Sequence, residues 1–294
     1  MLKNVQESLA GRVGIVSLLG FSLAEIQETL YLEEPFRPDL PWVQQTFAAS
    51  TPQLFDHILR GSFPALWDET PLRREVFFSS YLQTYIDRDL RDIFGVTKLS
   101  EFHTFIQLCA ARTGQVLNYS DLARDAGISV HAAREWINIL ISTRHIFLLE
   151  PYFANIGKRL IKSPKLYFLD TGLGCYLTKW NDAGSLQAGA MAGAFFETFV
   201  VSELVKSYLF RGHQIPLYYL RDQQGHEIDL LIADGQALYP VEIKLASSIK
   251  TRDIEHIRYY RSRLKLGKGA VISSTLQPYA LDAETQVLPF SSIS

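Results

Sequence analysis

Residues 226–244, HEIDLLIADGQALYPVEIK, predict two β-strands joined by a tight turn. The pair Asp-Gly at 234–235 is a hairpin signal between two apolar runs. A two-residue loop would set Asp229 diagonal to Glu242 on one face, and a four-residue loop would set the two carboxylates directly opposite. A three-residue loop without a bulge would place them on opposite faces. An even loop therefore brings Asp229 and Glu242 together, with Lys244 on the face of Glu242.

The residues around this hairpin predict an α/β domain over 193–294. A helix is predicted from about Ala194 to Phe210, and the strands are predicted over 216–221, 226–233, 237–245 and 269–273. A helix from about Thr251 to Leu264 precedes the last strand. The Gly-rich run 184–193 predicts a hinge before this domain, within a connecting region of strands over 153–192.

Four residues of this domain carry the strongest chemical signal. Glu197 projects from the apolar face of its helix, so a cation or a strong hydrogen-bond donor is expected beside it. Asp229 and Glu242 offer the hard oxygen ligands that Mg²⁺ or Mn²⁺ prefers, together with the backbone carbonyl of Ile243. Lys244 would orient or activate a water, and Glu197 would complete the acidic cluster.

The ordered set Glu197, Asp229, Glu242 and Lys244 on helix, strand and strand resembles the PD-(D/E)xK nuclease superfamily. The resemblance implies a restriction-endonuclease-like fold, with these four as catalytic residues and Asp229, Glu242 and Glu197 as metal ligands. Ile228 stands where the superfamily has a proline before its Asp. A structural ion cluster on the same fold is the alternative interpretation.

Local charge supports a polyanionic partner. The segment 244–268 carries eight basic residues and two acidic ones, although the whole chain has a net charge of −2. Tyr259 and Tyr260 are interleaved with the basic residues and could stack on bases. The alternative is a basic helix face turned to water. The residues predicted to contact nucleic acid are Arg221, Lys250, Arg252, Arg258 and Arg261.

Residues 99–152 predict a winged helix-turn-helix. Helices over 101–111, 121–126 and 130–143 precede a strand over 146–149, with Ser120 as the N-cap of the second helix. The third helix buries apolar residues at helical spacing, namely Ala133, Trp136, Ile137 and Leu140. The basic residues around this helix are offset by nearby acids, so both DNA contact and docking of a protein partner remain open. The basic residues are Arg124, Arg134 and Arg144, and the acids are Asp121, Asp125 and Glu135.

A wider resemblance covers almost the whole chain. The segments ESLAGRV (7–13), YLQTYIDRDLRDI (81–93), KLYFLDTGLGCYL (165–177) and GAFFETFV (193–200) look like a group of uncharacterised prokaryotic AAA-type ATPases. The resemblance implies an N-terminal P-loop domain, of which residues 1–30 would be the end, and a helical region over 31–98. No GxxxxGK[ST] motif occurs, so we expect neither ATP binding nor ATP hydrolysis from this chain.

Composition adds few constraints. The chain has 294 residues, and its apolar and charged fractions of 47% and 20% are ordinary globular values that exclude a disordered or collagen-like chain. Two cysteines are too few for a disulfide framework. The apolar run 13–23 is too short to cross a bilayer, and we prefer a buried strand to a signal peptide there. We therefore expect a cytoplasmic protein without a membrane segment.

These patterns together predict an α/β multi-domain protein, with a winged helix followed by a nuclease-like domain. The leading hypothesis is a DNA-associated nuclease that depends on Mg²⁺ or Mn²⁺. A non-catalytic adaptor that binds DNA or a protein is the alternative. The sequence leaves open whether the nucleic acid is DNA or RNA, and it does not determine the oligomeric state.

Overall fold

The computed structural model describes residues 18–29, 34–41, 50–70, 72–85, 88, 90–91, 95, 97–152, 162–235 and 237–293. Three helices come first: α1 (Leu23–Ile26), α2 (Thr51–Arg60) and α3 (Arg74–Thr84). Ser22 and Ser50 begin α1 and α2 with capping boxes, in which the serine and the third helical residue satisfy each other's backbone N–H groups. Residues 7–17, which include the run 7–13 and the start of 13–23, lie outside the described residues. The described part of 13–23 forms no strand and Leu18 is 84% exposed, so the preference for a buried strand is wrong for residues 18–23.

The next elements cover the segment for which a winged helix was predicted. They are α4 (Leu99–Ala110), β1 (Gln115–Val116), α5 (Tyr119–Ala126), α6 (Val130–Ser142), β2 (Ile146–Pro151) and β3 (Lys165–Phe168). The three predicted helices and the strand are confirmed, and the four apolar residues of α6 are buried. The three strands form a small antiparallel sheet in the order β1-β3-β2.

Two details of this unit differ from the sequence prediction. Asn118, not Ser120, begins α5, because the Asn118 side chain accepts from the backbone N–H groups of Ser120 and Asp121. Strand β3 falls inside the predicted connecting region, yet it pairs with β1 and β2. Long-range strand pairing of this kind leaves no local signal in the sequence.

The remaining elements form the C-terminal part. They are α7 (Thr171–Leu177), α8 (Ala183–Ala188), α9 (Ala192–Leu209), β4 (Leu217–Arg221), β5 (Glu227–Asp234), β6 (Ala237–Lys244), α10 (Glu255–Arg261), β7 (Gly269–Ser273), β8 (Tyr279–Ala280) and β9 (Thr285–Pro289). The predicted hinge contains α8, which begins at the N-cap Asp182 and packs against α2. The predicted helix over 251–264 is shorter, with a 3-10 turn (Thr251–Ile254) before α10.

One sheet runs through both parts of the chain. Within the described residues, nine strands follow the order β1-β3-β2-β4-β5-β6-β7-β9-β8. The two parts join where β2 pairs in parallel with β4, Glu150 opposite Tyr218 and Pro151 opposite Tyr219. The two predicted modules therefore share one sheet.

Three apolar clusters cover this sheet. Helix α9 is buried along most of its length and packs with α2 and the inner strands. Helices α3 to α7 enclose a second cluster around β2 and β3, and α10 covers a third on the opposite face of the C-terminal strands. No described helix has the length and apolar character needed to span a bilayer.

Candidate functional site

The β5–β6 hairpin sets the register of the predicted carboxylates. Asp234 pairs with Ala237 at the closed end, and Leu230 pairs with Val241 at the last regular position. Gly235 begins the connection with a φ of +59°, a left-handed conformation that glycine adopts without strain. Continuing this register by one residue sets Asp229 opposite Glu242. This is the direct opposition that was expected from a four-residue loop. Only two residues, 235 and 236, separate the paired Asp234 and Ala237, because the turn lies one residue later than Asp-Gly suggested.

A β-bulge on the other side of β5 opens the site. Tyr218 pairs with Leu231 but Leu220 pairs with Ile228, so Tyr219 faces both Asp229 and Leu230. A bulge bends its strand and interrupts the ladder. Strand β5 separates from β6 at this point, and the Asp229 Oδ2 atom accepts from the backbone N–H of Ile243 at 2.9 Å.

Asp229, Glu242 and Lys244 meet at this opening. The Lys244 Nζ atom lies 3.0 Å from Glu242 Oε2 and 3.5 Å from Asp229 Oδ2. Glu242 is 1% exposed, and its Oε1 atom has no hydrogen-bond partner. With no donor beside it, this oxygen is satisfied either by a cation or by a proton shared with the neighbouring Asp229 carboxyl.

The two carboxyls have opposite pKa shifts. Burial raises the pKa of Glu242 well above its ordinary value, and the neighbouring charge of Asp229 raises it further. Burial also acts to raise the pKa of Asp229, but the positive charges of Lys244 and Lys165 lower it below its ordinary value. Without a further cation, the pair therefore favours a state with one proton, held mainly by Glu242.

Glu197 lies beside this pair but has its own partners. Its Oε1 atom lies 3.1 Å from Lys165 Nζ and accepts from the Tyr167 hydroxyl at 2.5 Å. The expected cation and donor beside Glu197 are thus confirmed. Lys165 also lies 2.5 Å from Glu227 Oε1, and Arg221 lies 3.2 Å from Glu227 Oε2.

The predicted four-residue site is therefore divided. Asp229, Glu242 and Lys244 form one group, while Glu197 belongs to an adjoining ionic cluster. Burial raises the pKa of Glu197, and the charge of Lys165 partly opposes this. Among the described residues, no three His, Cys, Asp or Glu side chains are arranged to hold a metal ion.

The sequence pattern did not identify three residues of the adjoining ionic cluster, namely Lys165, Tyr167 and Glu227. Lys165 opens the apolar strand KLYF, and a lysine in a buried strand requires a negative partner. This requirement is the sequence feature that could have identified Lys165 as part of an ionic cluster. Its partners are 32 and 62 residues away in the sequence, and only the fold brings them together.

The predicted nucleic-acid contacts are partly neutralised. Arg258 lies 2.9 Å from Asp282, and Arg261 lies 3.8 Å from Glu284, both acids outside the counted basic segment. Lys250 and Arg252 are exposed, and Arg221 is about half-exposed beside the site.

The predicted stacking tyrosines are not available for bases. Tyr260 is buried, which makes that prediction wrong for this residue. Tyr259 is covered on its two faces, by the His226 ring at 3.8 Å and by the Arg263 guanidinium at 3.7 Å. Local sequence could not show this, because the covering ring comes from the β4–β5 connection.

Basic residues of the segment predicted as a helix-turn-helix are also paired. Arg124 lies 2.9 Å from Asp121 and 3.2 Å from Asp125, and Arg112 also bonds Asp125. Arg134 stacks on Tyr119, 4.3 Å from the ring centroid. These contacts leave no purely positive face on α5.

Comparison with known proteins finds two families of unknown function. Residues 51–184 match the domain of unknown function DUF8612, and residues 192–293 match the domain of unknown function DUF4143. The second family is often associated with AAA-type ATPases. No solved structure matches the chain.

Two curated mycobacterial proteins resemble the chain. It is 30% identical over 242 residues to uncharacterised proteins of Mycobacterium tuberculosis and Mycobacterium bovis, which covers 82% of this chain and 49% of each relative. The chain thus spans about half the length of these relatives. The two matched domains of unknown function are separated by residues 185–191, and the second begins where α9 begins.

Proposed function

We propose that the C-terminal part of this chain is a metal-dependent nuclease of the PD-(D/E)xK type that hydrolyses phosphodiester bonds in DNA. The observation that carries the proposal is the meeting of Asp229, Glu242 and Lys244 where β5 separates from β6. A carboxylate pair beside a lysine, at the open end of a hairpin, is the arrangement that the motif requires.

The residues present suit a single Mg²⁺ or Mn²⁺ ion. Mg²⁺ is commonly held by one or two carboxylates, with waters and substrate phosphates as the other ligands. Asp229 and Glu242 would supply the carboxylates, and the Glu242 oxygen without a partner fits this role. The bound ion would lower the pKa of a water and stabilise charge on a phosphate oxygen.

The chain's own residues have separable roles in this proposal. The Ile243 N–H fixes the orientation of Asp229. Both carboxylates raise the pKa of Lys244, although burial alone would lower it. Lys244 is therefore a cation that positions a water or a phosphate oxygen, and half-exposed Arg221 is placed to contact a neighbouring phosphate.

The remainder of the chain would position the substrate or a partner. The order of helices and the β1-β3-β2 sheet support a winged helix over the α4–β3 unit. Its paired arginines favour a protein partner over direct DNA contact. An AAA-type ATPase domain in the same assembly is one such partner, given the families that match.

A second candidate function is a non-catalytic adaptor. The specific observation in its favour is that Glu197 is held by Lys165 and Tyr167 and does not join the carboxylate pair. An adaptor of this kind would bind nucleic acid or protein in a salt-sensitive manner without turnover.

Cleavage assays separate these two functions. The purified chain is incubated with plasmid DNA, labelled single strands and RNA, in MnCl₂, MgCl₂ or EDTA. We expect metal-dependent cleavage that falls at least 100-fold in Glu242→Gln and in Lys244→Ala. The exposed residues Glu255 and Lys98 provide matched controls, and Glu255→Gln and Lys98→Ala should cleave normally. Binding without cleavage, or cleavage unchanged in the two site variants, would favour the adaptor.

A further inference from the structure

The ammonium group of Lys165 lies next to the Asp229–Glu242 pair. Its side chain is 4% exposed, and its Nζ atom lies 3.1 Å from Glu197 and 2.5 Å from Glu227. The Tyr167 hydroxyl donates to the same Glu197 oxygen. These groups come from β3, α9 and β5, so three distant parts of the chain build one closed ionic cluster.

The charge balance explains why this position needs a cation. Four carboxylates converge here, from Glu197, Glu227, Asp229 and Glu242, and three cationic side chains offset them, from Lys165, Lys244 and Arg221. Of the three cations, Lys165 has the least contact with solvent. Of these carboxylates Glu242 is buried and the other three are partly exposed, and carboxylates so close together require a nearby positive charge to remain ionised.

Carboxylate oxygens converging on one point are also what a divalent ion needs. Lys165 sits where Glu197 and Glu227 would both reach such an ion, and Asp229 acts on it electrostatically. The Asp229–Glu242 pair also has an internal cation, Lys244, but the side chain of Lys244 is 39% exposed, whereas that of Lys165 is 4% exposed. The two adjoining positions therefore differ in how far their lysine is enclosed by the protein.

We propose that Lys165 occupies, as a fixed ammonium ion, the position that Glu197 and Glu227 would otherwise offer to a second divalent ion. The inference rests on the proposed function for its first metal ion, at Asp229 and Glu242. It assigns the site one divalent ion per chain. Glu197 then acts as a positioning residue that anchors Lys165, and it is not a metal ligand.

The test replaces Lys165 with an uncharged side chain of similar length. The full chain and its Lys165→Met variant are titrated with MnCl₂ by calorimetry, and their melting temperatures are measured in EDTA and in MnCl₂. The variant should bind one more Mn²⁺ ion per chain than the wild type. Its melting temperature should rise in saturating MnCl₂ by about 5 °C more than that of the wild type.

Two matched variants act as controls. Lys165→Arg keeps the charge and should bind as many ions as the wild type. The double variant Lys165→Met with Glu197→Gln removes the charge together with one carboxylate, and it should lose the additional ion. A folded Lys165→Met variant that binds no additional Mn²⁺ would overturn the inference.

A further variant keeps the inference testable if Lys165→Met does not fold. Glu227→Gln retains Lys165, and it should bind the same number of ions as the wild type with the same affinity. A tenfold or greater loss of affinity in Glu227→Gln would show that a metal displaces Lys165, and would contradict the proposal. Failure of the proposed function has a different signature: the wild type binds no Mn²⁺, whereas Lys165→Met still binds one.

Discussion

Glu242 is the residue at which stability and proposed function are most clearly opposed. It is almost fully buried, its pKa is raised by burial and by Asp229, and one of its oxygens lacks a partner. A group that folding leaves so poorly satisfied lowers the stability of the native state. Such a cost is common where a carboxylate is kept ready for a ligand.

This opposition gives a pH-dependent prediction for Glu242→Gln in the absence of metal. The folded pKa is higher than the unfolded value of about 4.3, so the folded protein resists ionisation. The wild type should therefore lose stability relative to the variant as the pH rises above about 4.3 and through the folded pKa. At pH 8 in EDTA, the variant should be more stable by on the order of 1–2 kcal/mol.

Thermal unfolding in EDTA between pH 4 and pH 8 checks this prediction. The advantage of Glu242→Gln should disappear near pH 4, where the wild-type carboxyl is protonated in both states. Glu255→Gln, at an exposed position, should show no such pH dependence. An advantage that is constant across this range, or a less stable variant at pH 8, would contradict the pKa argument.

The pKa of Asp229 is shifted in the opposite direction to that of Glu242. Although burial acts to raise its pKa, Lys244 and Lys165 lower it, so its ionised form stabilises the folded state. This contribution is present above the unfolded pKa of about 3.9 and is lost as the pH falls through the lower folded pKa. Asp229→Ala also leaves the Ile243 N–H without its acceptor.

We therefore expect Asp229→Ala to lower the free energy of unfolding by about 1–3 kcal/mol at pH 7. Denaturant unfolding measures this change, and Asp56→Ala, at an exposed position of α2, serves as the comparison. A loss for Asp229→Ala no larger than that for Asp56→Ala would remove the structural role assigned to this carboxylate.

The roles of single residues could be predicted from the sequence only in part. Asp229 was identified by its residue type in the middle of an apolar strand. Glu242 and Lys244 were identified by their spacing of two residues, because an alternating strand pattern is a local property. Lys165 and Glu227 were missed since their partnership with Glu197 depends on strands that are far apart in the chain. A similar reason applies to Tyr259, whose faces are covered by groups that its own helix does not predict.

At the scale of single elements, the helices were the most predictable part. Helix α6 and its four buried residues follow from periodicity, and β7 has the bounds that the apolar run indicated. Strands β8 and β9 were not predicted, and neither was the bulge at Asp229. Bulges and edge strands are set by pairing with distant strands, which a single sequence does not reveal.

The beginning of α5 offers a sharp test at this scale. The Asn118 side chain accepts from two backbone N–H groups of the first turn, and Ser120 lies inside the helix. Asn118→Ala should lower the free energy of unfolding by about 1 kcal/mol, the usual effect of losing an N-cap. Ser120→Ala should change it by less than about 0.5 kcal/mol. The opposite order in denaturant unfolding would show that Ser120 is the cap after all.

At the scale of the whole molecule, the shared sheet is the main departure from a chain of separate modules. Strands β2 and β4 join the two parts, and one apolar cluster contains residues from Leu23 to Ile293. The sequence indicated modules because glycines and prolines mark local breaks. It could not show that the pieces pack on a common core, which is a property of long-range contacts.

This architecture predicts cooperative unfolding of the described parts. All four tryptophans lie at or before Trp180, so their fluorescence reports on the first two thirds of the chain. Far-UV circular dichroism reports on the whole chain. The two probes should give one coincident transition in urea. Separate midpoints would show that the two parts unfold independently in spite of the shared sheet.

The central claim is that Asp229 and Glu242 form a site for one divalent cation. Calorimetric titration of the purified chain with MnCl₂ tests it most directly, with Glu255→Gln as the matched control for Glu242→Gln. The account predicts one Mn²⁺ ion per chain for the wild type and for Glu255→Gln, and a loss of affinity of at least tenfold for Glu242→Gln. Equal binding by all three proteins, or no binding by the wild type, would contradict it.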